Sequence, residues 1–182
     1  MALVVETGSG ASGSESYAAI AEIAAYATAR GLTFVITGGT NAADAEAAAR
    51  RGTVWLDGRY RSSFPGRKTN GRAQALEWPR INAYDRQVPP EYIESDEIPQ
   101  EIIDACCEAA IREKASPGSL SPDVTPGKIK KSAKVGDIGV EYAIGTGTVG
   151  EQRPVATVID DILSGLLAIQ RGPVLFGKVE RA

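Results

Sequence analysis

The 182-residue chain contains no histidine, only two cysteines and one methionine, and few aromatic residues. The missing histidine removes the commonest general base and the commonest metal ligand, which weighs against most hydrolase, lyase and zinc chemistry. Cys106 and Cys107 are adjacent, a spacing that strains any bridge between them and differs from a CxxC metal pair. They read as small apolar helix residues of a chain made in a reducing compartment. No apolar run approaches the roughly 20 residues that a bilayer span requires. The start, Met1-Ala2-Leu3-Val4-Val5-Glu6, lacks a basic lead-in and soon meets an acid, unlike a secretory signal. The expectation is a protein that stays where it is made, with no membrane partner.

What is present is ordinary globular usage. The hydrophobic share of 43% and charged share of 24% suffice for one domain with its own core, and exclude wholesale disorder. The net charge of -3 argues against a protein devoted to gripping phosphate backbones, since that affinity comes from clustered Lys and Arg. The distribution says more than the sum. Arg59, Arg61, Arg67, Lys68, Arg72, Arg80 and Arg86 make a basic middle, followed by an acidic block of Glu91, Glu94, Asp96, Glu97, Glu101, Asp104 and Glu108. Patches of opposite sign give neighbouring molecules orientation and register.

The chain divides into a flexible N-terminal segment (1–16), a helical core (17–115), a linker with a β-hairpin arm (116–153), and a C-terminal helix with an extended tail (154–182). Residues 6–16 are too rich in Gly and Ser to hold regular structure unaided. Helical spacing runs from Tyr17 to Arg30, with Ser16 to cap it and Gly31 to stop it. Thr33 to Ile36 is short and β-branched, and Gly38-Gly39 turns the chain. A second helix spans about Ala42 to Tyr60, with a small-residue face at Ala45, Ala48, Ala49 and Gly52. From Arg61 to Pro90 the chain is loop-rich, with a short helix over Arg72 to Leu76. Pro99 opens a third helix, whose stripe of Ile102, Ile103, Cys106, Ala109 and Ala110 ends before Ser116-Pro117-Gly118. Residues 129–135 and 138–144 flank Gly136-Asp137 as a hairpin. Pro154 opens a last helix running up to Gly172-Pro173, and 174–179 is an apolar, extended tail. The fold class is mainly α: a small bundle of about four helices with a β-hairpin and an extended C-terminal arm.

No arrangement of residues points to catalysis, a cofactor or a metal. Gly8-Ser9-Gly10 and Gly145-Thr146-Gly147 lack the Lys and Ser/Thr of a phosphate loop. Asp160 and Asp161 diverge by about 100° on a helix and read as a solvated face. The serines have no histidine to activate them. Trp55, Trp78, Tyr60 and Tyr84, interleaved with arginines, fit either of two roles: stacking the bases of a single strand, or anchoring a loop on the core while Arg stems cover it. The second role is favoured, with Trp78 as the buried anchor.

The order of motifs adds a family. Met1 to Gly8, Ser16-Tyr17, Ala25-Tyr26 before Arg30-Gly31, Leu56-Asp57-Gly58-Arg59-Tyr60, Gln74-Ala75-Leu76-Glu77-Trp78-Pro79-Arg80, Ile98-Pro99 and Lys134 to Tyr142 together resemble a phage family. That family carries the label of DnaT-like single-stranded DNA-binding proteins and looks like the head-to-tail adaptor, or head completion, proteins of tailed phages. Gln-Ala-Leu-x-Trp-Pro-Arg is its most specific element. The adaptor likeness implies a structural, non-enzymatic virion protein at the neck, made in the host cytoplasm. Its partners are then further copies of itself in a ring, usually of about twelve, closed heterologously. The portal protein and a tail terminator or other neck protein complete the set, and genomic double-stranded DNA passes through the channel without specific binding. On this reading Val135, Ile138, Val140, Tyr142, Val174, Leu175 and Phe176 form the subunit interfaces. The alternative is a DnaT-like single-stranded DNA-binding protein of replication, contacting the strand through Arg67, Lys68, Arg72, Trp78 and Arg80.

Overall fold

The computed structural model describes residues 2–38, 40–86, 89–123, 130–134, 139–142 and 154–167. Among them are four α-helices: α1 (Ile20–Ala29), α2 (Asn41–Tyr60), α3 (Gln100–Ala115) and α4 (Thr157–Leu163). Three antiparallel strand pairs accompany them: β1 (Arg67–Lys68) with β2 (Arg80–Ile81), β3 (Ala83–Asp85) with β4 (Glu91–Ile93), and β5 (Lys130–Lys134) with β6 (Gly139–Tyr142). The described chain is thus mainly helical and carries the expected hairpin. The first two strand pairs were not expected, because elements of two or three residues carry no readable alternation.

α3 is the central helix. From Ala105 to Ile111 every residue is buried, so it meets neighbours on nearly all sides, and α1, α2 and α4 all pack on it. Small side chains set the α2–α3 distance: Ala45, Ala48 and Ala49 on α2, and Ala105, Ala109 and Ala110 on α3, are wholly buried. Gly52 marks the closest approach. A Cβ there would stand 2.7 Å from the Ala110 nitrogen and 3.0 Å from the Ala109 carbonyl carbon. Around this crossing Tyr17, Ile23, Leu56, Trp78, Ile102, Ile159, Leu163 and Leu166 are fully buried, and each large apolar side chain taken out of water contributes roughly 1.5–3 kcal/mol.

α1 starts at Ile20, later than the sequence suggests. Ser16 does not cap it. The Ser16 hydroxyl turns inward to donate to the Ala18 carbonyl at 2.9 Å, 3.6 Å from Cys106 Sγ. The Ala19 N–H instead donates to Glu22 Oε2 at 2.7 Å. The stop is as expected: Gly31 takes φ +67° and the Leu32 N–H returns to the Ala27 carbonyl. Thr33 to Ile36 forms no strand.

The last helix is shorter than its apolar period. α4 ends at Leu163, and a turn over 164–166 follows. Arg86 crosses to this end, its N–H donating to the Gly165 carbonyl at 3.1 Å and its guanidinium to that of Leu167 at 2.6 Å. These donors satisfy carbonyls that another helical turn would have used. Asp160 is not merely solvated: it accepts the Tyr60 hydroxyl at 2.6 Å and fastens α4 to α2.

The segment before Tyr17, read as a flexible lead-in, is held in one conformation. It has no regular structure beyond a bridge between Val5 and Ser16, but it closes around the buried Glu6 carboxylate. Six donors converge there: the N–H groups of Thr7, Gly8, Gly10 and Ala11, and the hydroxyls of Ser9 and Ser14. Gly8 and Gly10 take positive φ, and a Cβ at Gly8 would collide with the Asp96 carbonyl. Glycine and serine are thus the small donors that let the chain wrap its own acid.

Candidate functional site

The basic middle of the sequence becomes a surface where α2 runs out. The Gln74–Arg80 loop supplies its frame. Gln74 spans the loop, its amide donating to the carbonyls of Leu76 and Pro79 at 3.0 Å each. Trp78 is fully buried, edge-on to Phe64 at 5.8 Å between centroids. Arg80, 6% exposed, spends its fork inside the fold, donating to the carbonyls of Pro65 (2.7 Å), Gly66 (2.9 Å) and Glu77 (3.2 Å) and to Glu77 Oε2 (3.0 Å).

Glu77 is the centre of a cation cluster. Its Oε1 meets Arg61 Nε at 3.0 Å and Lys68 Nζ at 3.3 Å, while Oε2 holds Arg80. Its backbone N–H donates to Tyr17 Oη and Asp57 Oδ2, both at 2.9 Å, and the Tyr17 hydroxyl donates to Asp57 Oδ1 at 2.7 Å. Burial pushes the Asp57 carboxyl up to about 6; the bonds from Tyr17 and the Glu77 amide offset part of this, and the Glu77 charge adds to it. Three cations against one carboxylate leave positive charge in excess, and Arg61, 68% exposed, carries it outward, while the partly buried Lys68 Nζ also donates to the carbonyls of Gln74 at 3.3 Å and Ala75 at 3.4 Å. Arg67 and Arg72 lie exposed beside them on β1 and the following 3-10 turn.

Up the helix the same surface continues as a groove of about 790 Å³ between α2 and residues 118–123. Arg50, Arg51 and Arg59 line it with Val54, Trp55 and Leu120. Arg51 Nε is held by Glu113 at 2.9 Å, and Arg50 pairs with Glu15 and Glu46. Burial raises the Glu113 carboxyl, but the Gly118 and Leu120 amides and Arg51 outweigh it and hold it below the usual carboxylate range.

The structure sorts the five residues expected to contact a strand. Arg67 and Arg72 are exposed, and Lys68 is partly buried over Glu77. Trp78 and Arg80 are not available: a fully buried indole offers no face to a base, and the Arg80 guanidinium is consumed by carbonyls and Glu77. The sequence reading left out Arg50 and Arg51, whose signal was their position one turn before Trp55 on α2. It also left out Tyr92, which stands opposite Tyr84 in the β3–β4 ladder, 76% exposed, amid acids. Of the residues assigned to interfaces, Val140 and Tyr142 lie on β6 opposite Ala133 and Lys130. Val135, Ile138, Val174, Leu175 and Phe176 lie outside the described residues.

Cys106 and Cys107 are buried and free, and burial pushes both thiols up, Cys106 despite bonds from Thr53 and Ser16. Among the described residues no group of acids and cysteines is arranged to hold a metal, and no helix is long and apolar enough to cross a membrane.

One protein-family model, described as "Putative DnaT-like ssDNA binding protein", matches residues 1–182. No curated protein and no solved structure matches the chain. The family match overturns the adaptor reading, and with it the ring of copies, the portal and neck partners and the duplex in a channel. The family is described by single-stranded DNA, the alternative that the motifs also carried.

Proposed function

Since the chain belongs to the family described as putative DnaT-like single-stranded DNA-binding proteins, we propose that it binds single-stranded DNA on the basic surface at the C-terminal half of α2. The whole-length family match carries this reading. The geometry supports it with Arg61 and Lys68 meeting over Glu77, Arg67 and Arg72 exposed beside them, and Arg59 on the adjoining turn of α2. Between Arg50 and Arg61 the helix spans roughly 16 Å at about 1.5 Å per residue, a length over which a strand's phosphates can follow a row of cations. The acids sit largely elsewhere, on β4 and along α3, so a net negative chain still offers one positive face. We propose further that the protein is a binding protein and not an enzyme, supported by the lack of histidine and the buried thiols.

Fluorescence anisotropy with a labelled oligothymidylate over a range of salt concentrations tests the proposal. Affinity should fall steeply with salt, log K dropping by about 0.7 per phosphate contact for each tenfold rise in salt with a single strand. The double variant Arg67→Glu, Arg72→Glu should weaken binding and flatten that slope by about 1 or more. An unmodified protein that leaves the oligonucleotide free at low salt would overturn the reading.

A further inference from the structure

The groove beside Trp55 has features that a row of surface cations does not need. Trp55 is half-buried and its ring is fixed from two sides. Its indole N–H donates to the Leu120 carbonyl at 2.9 Å, and Tyr60 stands edge-on to it at 5.9 Å. Val54, 69% exposed, lies next to it on the rim. One turn further, Gly58 leaves the helix bare: a Cβ there would meet nothing within 4 Å. Arg59 adjoins the opening, its guanidinium 6.0 Å from the Tyr60 ring centroid and hydrogen-bonded to the Tyr60 hydroxyl, and it forms no ion pair with a carboxylate among the described residues. An indole held in place, an open floor and a guanidinium that no described carboxylate neutralises match the three parts of a nucleotide that need a place: the flat base, its edge and its phosphate.

We infer that this groove is a stacking subsite for one unpaired base of the bound strand, with Trp55 against the base and Arg59 on the neighbouring phosphate. The inference rests on the single-stranded DNA reading and adds a reason for strand selectivity. A base inside a duplex is already stacked and paired, so it reaches the groove only at the cost of leaving its partners. The acids at the groove do not oppose it strongly. Glu113 lies buried beneath, engaged by Arg51 and two backbone amides, which leaves Asp123 as the one exposed acid of the lining.

The two tryptophans make the test direct, because Trp78 is wholly buried and Trp55 is not. The full chain is titrated with unlabelled oligothymidylate while tryptophan emission is followed, and anisotropy reports Kd in parallel. Binding should quench the emission, and Trp55→Phe should abolish the quench. Gly58→Leu fills the groove while favouring the helix, so its melting should match the parent while its affinity falls roughly ten- to a hundredfold, the range for loss of one base stack. Binding with unaltered emission, and with both variants at parental affinity, would sink the subsite and leave the single-stranded DNA reading standing. An equal quench by duplex of the same sequence would also sink it. Failure of the parent protein to bind any oligonucleotide would remove both.

Discussion

Two loops of this molecule are each built around a buried carboxylate, and they solve the problem differently. Glu6 is wrapped by six neutral donors, all from the eight residues that follow it, and forms no ion pair among the described residues. Glu77 is wrapped by three cations, two of them from elsewhere in the chain. The first arrangement is closed, since every donor ends on the acid. The second stays open, because Arg61 has donors to spare and projects them to the surface. A carboxylate satisfied by amides makes a structural knot; one satisfied by long cations makes a platform on which charge can be displayed.

The largest expected effect separates what anchors the two loops. Trp78 ties the Glu77 loop to the core and the Glu6 loop has no such side chain, so Trp78→Ala should cost about 3–5 kcal/mol in urea unfolding. Loss of much less would mean that the cation cluster alone holds the loop. The carboxylates come next, as a pair. Glu6→Gln offers one acceptor oxygen to six donors and should cost about 2–3 kcal/mol, with affinity for oligothymidylate unchanged. Glu77→Gln should cost about 1–2 kcal/mol, since Arg61 and Lys68 remain partly hydrated. It should also tighten oligonucleotide binding a few-fold by releasing those cations. Equal DNA affinities in the two variants would erase the difference between the two loops.

The smallest effect at neutral pH, but the most diagnostic, concerns acid. Burial acts to raise the Glu6 carboxyl, but the bonds from Ser14, Gly10, Ala11 and Gly8 hold it below its ordinary value of 4.5. Its stabilising contribution is therefore present above that value and is lost as pH falls below it. Asp57, behind Glu77, shifts the opposite way, from 3.8 to about 6. Between these values the folded protein binds the extra proton, so this group favours folding most on the acid side and stability declines as pH rises through the window. Asp57→Asn should change stability at neutral pH by no more than about 1 kcal/mol and should remove that decline. A variant with the parental pH profile between 4 and 6 would show that Asp57 titrates normally.

How much of this could be read from the residues depended on how local each signal is. α3 was legible because Pro99, the apolar stripe and Ser116-Pro117-Gly118 all mark it within one stretch. α2 was legible for the same reason, weakened by two glycines. Its Gly52, which costs helix propensity, belongs to the small-residue face and is the point of closest contact with α3. The order in residues 6–16 was hidden, because glycine and serine signal freedom unless the acid that gathers them is already known to be buried. Arg80 was misjudged since a cation within a basic run reads as solvated, and only the fold brings the Pro65 and Gly66 carbonyls to it. Trp78 was placed correctly as a buried anchor, and that placement denies it the stacking role its neighbour Trp55 can take. The adaptor reading failed on a different ground: unsatisfied apolar ends suggested sister molecules, whereas the family match points to a nucleic acid.

The contact at Gly52 restricts how this fold can drift. What crowds that position is backbone, the nitrogen of Ala110 and the carbonyl carbon of Ala109, and no exchange of side chains on α3 can clear it. A descendant sequence with any other residue at 52 must therefore spread the two helices. The gap so opened would have to be refilled at positions 45, 49, 105 and 109 together, so these sites should change as a set or stay small.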